Sequence, residues 1–345
     1  MKSRLTFATA GLVLVLLAHP LDSQQSASND SKPDDKIRLD VVVTNGSGKF
    51  VSGLPREGFK LLDNGVQREI TSFSELSATA SNPVAVLIVV DAVNTPTTAV
   101  AYQREEVVKY LRANGGRLTH PTTFAVLTNK GAQIFTRPSQ DGMALASALE
   151  HYEIGLREIG RDQGFYGAQE RLTISLNALH EIAKFEKSLP GRKLVAWVSP
   201  GWPLLSGVGV TLDDKQQQQI YKNIVEYSTQ LRDAGITLDS VNSWGAGESV
   251  GRASYYMEFL NGVSKPGETQ LGDLGLQVLA TQSGGLVLNT SDVVGTLTQS
   301  VADADDYYEV SFAPAHSEKP NEYHRLQVVV SGLKTRTRQS YYAQP

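Results

Sequence analysis

Pro83-Val84-Ala85-Val86-Leu87-Ile88-Val89-Val90-Asp91 is the stretch that decides the fold. Seven consecutive apolar residues, Val84 to Val90, leave no face for solvent. A half-exposed strand alternates apolar with polar residues. An uninterrupted run bounded by Pro and Asp instead predicts a central strand of a parallel sheet, covered on both faces. Asp91 then stands at the carboxyl edge of that strand.

Downstream, helical and extended patterns take turns. Helices are expected over 100–113, from Gly142, and over 169–187, 213–231, 271–281 and 292–304; strands over 122–127, 132–135, 193–198, 236–241 and 285–288. The 169–187 helix is amphipathic, with Leu172, Leu176, Leu179 and Ala183 on one face. Such alternation predicts an α/β fold, a doubly wound, mostly parallel sheet over residues 83–304. The direct strand-to-strand step at Asn129-Lys130-Gly131 predicts one antiparallel edge. Upstream, Ile37, Leu39, Val41 and Val43 alternate, and Asp63-Asn64-Gly65 is a hairpin turn between 59–62 and 66–73, so residues 37–75 read as a small β unit. Residues 305–345 return to β patterns over 307–312, 323–330 and 333–342, with Ser331-Gly332 as a turn. Neither end has enough strands for independent stability. The expectation is therefore one small β-sandwich made from both chain ends, with the α/β domain inserted in it.

Lys2 and Arg4 followed by the apolar run from Leu5 to Ala18 predict a signal peptide over residues 1–23, and the polar residues 24–36 a flexible leader. The run is short for a membrane span, and no later stretch approaches one, so no transmembrane segment is expected after cleavage. The protein is expected to be exported, either periplasmic or secreted. There is no cysteine, so no disulfide staples the fold, which suits a bacterial envelope. A net charge of -4 with mixed signs gives no ground for nucleic-acid binding.

In open α/β sheets ligands sit beyond the carboxyl ends of the strands. The candidate ligand-binding loops there contain Asp91, Asn94, Thr95, Asp162, Ser199, Trp202 and Trp244. The apolar strand ending in Asp91 and the turn at Ser199-Pro200-Gly201 resemble a von Willebrand factor A domain. More narrowly, the chain is similar to the VWFA-related proteins of Acidobacteria. That likeness rests on Val51-Ser52-Gly53-Leu54, Phe59, Leu61-Leu62-Asp63-Asn64-Gly65, Asp91 with Asn94-Thr95, and Ser340-Tyr341-Tyr342-Ala343. It implies an exported A-type domain and no defined activity. Metal-binding A domains carry Asp-x-Ser-x-Ser, a later Thr and a second strand-end Asp, which together hold Mg²⁺ through oxygen. Here Asp91 and Thr95 match, but Val93 has no oxygen, and Pro200 or Ser199 replaces the second Asp. Thr173 is the candidate later Thr, and Asn94, Asp162 and Asp239 are the oxygen donors available to compensate. A degenerate site without a cofactor is expected, with Mg²⁺ at Asp91 and Thr95 as the alternative.

The chain lacks a Gly-x-Ser-x-Gly elbow, a phosphate-cradling Gly loop with Lys-Ser/Thr, and a His-Glu-x-x-His pair, and its histidines are scattered. It reads as no enzyme. The expected function is an exported protein–protein or matrix interaction module whose partner the residues leave open. A metal-dependent adhesion protein and an uncharacterised hydrolase are the competing readings. Asp213-Asp214 fit a helix start, whereas Asp303, Asp305 and Asp306 crowd a helix end against the dipole. Arg325, Lys334, Arg336 and Arg338 alternate on the last strands as a basic stripe, read in preference as charged edge strands.

Overall fold

A computed structural model describes residues 36–79, 82–135, 137–153, 164–203, 205, 212–242 and 254–345. The expected signal peptide, all of the leader but Lys36, and both Asp162 and Trp244 lie outside the described residues.

The chain enters through β1 (Ile37–Thr44), β2 (Phe59–Asp63), β3 (Val66–Arg68) and β4 (Ile70–Ser77). The hairpin turn between β2 and β3 has positive φ at both Asn64 (49°) and Gly65 (79°), the conformation its sequence favours. The expected long second arm is cut in two. After β3 the chain leaves its partner, and β4 pairs in a different sheet.

The α/β part follows. β5 (Val84–Asp91) leads to α1 (Thr97–Gly116), β6 (Arg117–Thr128), β7 (Gly131–Ile134), β8 (Ser139–Asp141) and α2 (Gly142–Glu150). Then come α3 (Gly164–Lys187), β9 (Arg192–Val198), α4 (Asp214–Asp233), β10 (Ile236–Asn242), α5 (Leu276–Gln282), β11 (Val287–Asn289) and α6 (Val293–Asp303). The seven-stranded sheet runs β11-β10-β9-β5-β6-β7, with β8 paired to β6. β5 lies between β9 and β6, parallel to both, and β7 returns antiparallel to β6. All eight residues of β5 are buried. Its side chains divide by the two-residue period: Leu87 and Val89 join Trp197 and the apolar faces of α3 and α4, while Val86, Ile88 and Val90 join those of α1, α2 and α6. Asp213 caps α4 in a reciprocal box with Gln216, the role its position at a helix start predicts.

The chain closes with β12 (Asp306–Phe312), β13 (Glu322–Val330), β14 (Lys334–Arg336) and β15 (Ser340–Ala343). The single strand expected over 333–342 is two short ones, which pair in different sheets. One antiparallel sheet is ordered β14-β1-β12-β4 and the other β15-β13-β2-β3, so each mixes strands from both ends of the described chain. A shared core of Leu39, Val41, Leu61, Tyr308, Phe312, Val328 and Tyr341 lies between them. His324 is buried there, its Nδ1 2.7 Å from Asp63 Oδ1, and Tyr341 donates to Asp63 Oδ2 at 2.9 Å.

The amino-terminal ends of the parallel strands meet β1 and β12 through charges. Arg192, at the start of β9, lies 3.4 Å from Asp40, donates to Ala304 O at 2.9 Å and covers the Tyr307 ring. This junction explains the carboxylates that oppose the dipole of α6. Asp303 pairs with Arg336, His120 Nε2 lies 2.5 Å from Asp305, and Asp306 accepts from Ser77 Oγ at 2.6 Å. The basic stripe is overturned as a surface feature at two of its four positions. Arg336 turns in to Asp303 and Gly284 O, and Arg338 is buried against Ile236 O, where burial pushes its guanidinium down to about 10.

Glu186, in the last turn of α3, is fully buried, and neither carboxylate oxygen has a hydrogen-bond partner among the described residues. Burial pushes its pKa from 4.5 up to about 7, against the pull of Lys193. Asp239 and Asp273 are pushed by burial from 3.8 to about 6. In each case the folded state holds its proton to higher pH than the unfolded chain. The sign follows: stability from these groups is fullest below their unfolded values and declines as pH rises through the folded ones. Thermal midpoints are expected to be higher near about pH 5 than near about pH 8. Glu186→Gln is expected to shrink that difference in calorimetric scans; an unchanged difference would contradict the assignment.

Candidate functional site

Asp91 ends β5 on the face shared with Leu87 and Val89, beside Trp197 of β9, and is completely buried. Its carboxylate collects four N–H donors. Oδ1 accepts from the backbone of Val93 at 3.0 Å and of Asn94 at 2.9 Å. Oδ2 accepts from Asn94 Nδ2 at 2.8 Å and from Trp197 Nε1 at 2.9 Å. Burial pushes the carboxyl pKa up, and the bonds from Asn94, Trp197 and Ser199 work against that shift.

The same amide reaches further. Asn94 Nδ2 lies 2.8 Å from Ser175 Oγ, and Ser175 donates on to Arg171 O at 2.9 Å, which ties the loop after β5 to α3. Thr95 donates to Gln103 Oε1 at 2.7 Å, and Gln103 Nε2 donates to Val198 O, which ties the loop to α1 and to the end of β9. Ser199 Oγ accepts from Gly201 N at 3.1 Å. Asp91, Asn94, Thr95 and Ser199 are thus drawn together, each buried and each hydrogen-bonded.

Other candidates fall elsewhere. Trp202 is buried, with its ring edge-on to Trp197 at 5.2 Å, and closes the core rather than standing out as an anchor. Thr173 is exposed on α3 and donates back to Gln169 O, so Ser175 is the α3 hydroxyl that reaches the loop. Asp239 is occupied by Leu286 N at 2.8 Å and Ser300 Oγ at 2.5 Å. Sequence reasoning missed Trp197 and Gln103 as members of the network. Trp197 sits inside the apolar run of β9, yet a buried indole N–H demands an acceptor, and that demand is the signal that marks it. Gln103 is a fully buried amide on α1, and nothing local distinguishes it from its solvated neighbours. Among the described residues no three His, Cys, Asp or Glu side chains are grouped to hold a metal ion.

α3 begins at Gly164, five residues before the helix expected from periodicity. Ser175 marks the level of the strand ends on this helix. At about 1.5 Å per residue, the turns that precede it carry Tyr166 about 13 Å further along the axis. Tyr166 (79% exposed) and Phe165 (46%) stand there, ring edge against ring at 6.2 Å. Tyr102 of α1, also exposed, donates to Ser291 O beyond β11.

No family model matches the chain, and no curated protein matches it by sequence. Among solved structures it is similar to proximal thread matrix protein 1 from the mussel byssus, at 13% identity and a TM-score of 0.36, over 67% of this chain and 48% of that one. It is similar to the human COPII-coat protein Sec24c at 10% identity and a TM-score of 0.34, over 78% of this chain and 46% of that one. A third is the manganese-loaded TRAP protein of Plasmodium vivax, at 10% identity and a TM-score of 0.33, over 79% of this chain and 98% of that one. The chain spans about half the length of the first two. Overlaps of this size place no residue of the site.

Trp197→Phe keeps an aromatic ring, though a smaller one, and removes one donor from a buried carboxylate. It is expected to cost about 1–3 kcal/mol of stability in urea unfolding, because the acceptor left behind has no water to replace the bond. Asn94→Ala, which takes two side-chain bonds from the network, is expected to cost at least as much.

Proposed function

We propose that the chain is an exported interaction module that binds a protein or matrix partner over the carboxyl ends of its parallel strands, and that the α/β part is a von Willebrand A-like domain. The observation that carries this reading is the exposed pair Phe165 and Tyr166, raised on α3 above a loop network whose carboxylate is engaged on both oxygens by N–H donors. Exposed aromatics on a rigid element are the side chains that most often anchor a protein partner. Beneath them, the network offers shape rather than reactive groups. The hydroxyls of Ser175 and Thr95 are spent on neighbouring acceptors, and the paired histidines His120 and His324 lie on Asp305 and Asp63, away from the strand ends. A binding role without catalysis fits that placement.

The same reading makes recognition independent of divalent metal. Mg²⁺ requires oxygen ligands at about 2.0–2.1 Å in an octahedron. At Asp91 both carboxylate oxygens already accept from N–H groups, Thr95 is committed to Gln103, and the Val93 side chain offers no oxygen. The Asn94 amide and the Trp197 indole supply the positive partial charge that a cation would bring. This donor set does not fit the ion.

Capture of partners from an envelope extract by the full chain tests the reading. Binding is expected to survive EDTA, and Phe165→Ala with Tyr166→Ala is expected to weaken it about tenfold or more while leaving stability within about 0.5 kcal/mol. Calorimetry with Mg²⁺ and Mn²⁺ is expected to be silent for the wild type and for Asp91→Ala alike. Tight metal binding lost in Asp91→Ala would favour the metal-dependent adhesion reading instead.

A further inference from the structure

One sheet edge of the sandwich leaves main-chain groups unspent. The edge strands β3, β7, β11, β14 and β15 are three or four residues long, and short edges offer little to pair with. β4 is the exception. It runs for eight residues, pairs with β12 on one side and meets no strand on the other among the described residues.

The direction of its main-chain groups can be read from its end. Ala78 N donates to Asp305 O at 2.8 Å, one step beyond the pairing of Ser77 with Asp306. In an antiparallel ladder successive residues alternate between bonding the neighbour with both groups and turning both away. Leu76 and Ser74 therefore face β12, while Glu75 and Phe73 face outward. Arg56 donates to Ile70 O, and Asn82 Nδ2 donates to Ser77 O at 3.5 Å, which closes the two ends. Between these ends, the N–H and C=O of Phe73 and Glu75 hydrogen-bond to no described residue.

Nothing along β4 turns a second strand away. It contains no Lys, Arg or Pro, the residues that guard sheet edges, and its one charged side chain, Glu75, accepts from Gly53 N at 2.7 Å. The strand also complements itself. A second copy laid antiparallel about a two-fold axis at Ser74 sets Phe73 against the second copy's Glu75, and Glu75 against the second copy's Phe73. Each pair exchanges two main-chain bonds, so every outward group of Phe73 and Glu75 is used. Sliding the copies one way sets Glu75 against Glu75, which like charges disfavour. Sliding them the other way spends Glu75 on Thr71, beside the bulge between Ser311 and Phe312.

We propose that β4 is the interface of a two-fold dimer, in which the sheet β14-β1-β12-β4 and its copy join as one continuous antiparallel sheet.

Sedimentation velocity of the full chain over a concentration series is expected to show reversible monomer–dimer exchange. Ser74 meets its own copy on the axis as a non-hydrogen-bonded pair. Cα atoms there stand about 4.5 Å apart, within the range of about 4.4–6.8 Å that a disulfide spans. The chain has no cysteine, so Ser74→Cys, oxidised with copper(II) phenanthroline, is expected to give a covalent dimer on non-reducing gels. Ser72→Cys is expected to give none, because its two copies stand about 14 Å apart along the strands. Ser74 is exposed, so Ser74→Lys is expected to leave the thermal midpoint unchanged while like charges on the axis weaken association about tenfold or more. A monomer at every concentration, a cross-link in Ser72→Cys but not in Ser74→Cys, or association untouched by Ser74→Lys would overturn the dimer. Capture of another protein's extended segment on β4, by a chain that stays monomeric alone, would overturn it too and assign the edge to that partner.

Discussion

The structure depends on how a carboxylate is kept at the end of a strand that has no solvent face. β5 is buried over its whole length, and its last side chain is an acid. An isolated charge in such a place costs several kcal/mol, more than most single contacts return. Four N–H donors answer that cost, two from the turn that follows, one from the Asn94 side chain and one from Trp197. Because the donors belong to different elements, satisfying one carboxylate also fixes the loop after β5 against β9 and, through Ser175, against α3. The packing of the strand-end surface follows from that electrostatic requirement.

The other end of the sheet solves a related problem by different means. The chain passes between the antiparallel sheets and the seven-stranded sheet twice, through β4 to β5 and through α6 to β12. The strands that receive it, β1 and β12, each use one face for the sandwich core. Their other face carries Arg38, Asp40 and Glu309, and the α/β part meets it with Arg192 and Lys193. Buried ion pairs of this type contribute little net stability but are costly to break singly, so they favour one docking geometry over its neighbours. Most of the apolar core lies within each part, and the seam between them combines these charges with Tyr342 and Tyr323, which pack against Tyr221 and the core beneath it.

That division sets what was legible in the sequence. β5, the alternation of helix with strand, the antiparallel step to β7 and the turn at Asn64-Gly65 are local patterns, and a local pattern suffices to read them. Asp91 and its loop stood out because a polar residue after seven apolar ones marks a strand end. What escaped was set by distance in the chain. Trp197 meets Asp91 from 106 positions away and His324 meets Asp63 from 261, and no periodicity announces either. The charges on β14 and after it misled for the same reason. Alternation tells that Arg336 and Arg338 share a face, but not that Asp303 and Ile236 O wait on that side. The early start of α3 escaped differently: its first turns pack against little, so the apolar stripe that reveals a helix is missing where Phe165 and Tyr166 emerge.

α3 is the element that joins these themes. Ser175 on it bonds the loop of Asp91, and Glu186 on it lies buried beside the charged seam, eleven residues or about 16 Å along the axis. Beyond Ser175 in the other direction, the same helix lifts the exposed aromatic pair. One rigid rod therefore carries a titratable group at one end, a hydrogen bond to the central strand in its middle and the proposed contact surface at its tip. Packed helices shift as units, because their side chains interlock at near-crystalline density. Strain introduced at Glu186 by ionisation would have to be absorbed either by repacking beside Lys193 or by movement along α3. Asn94 opposes the second route, since its amide bonds both Asp91 and Ser175 and would lose one bond if the helix slid. The carboxylate at the end of β5 thus does more than terminate a strand: by holding Asn94 in place it holds α3 at one height, and with it the surface that α3 presents.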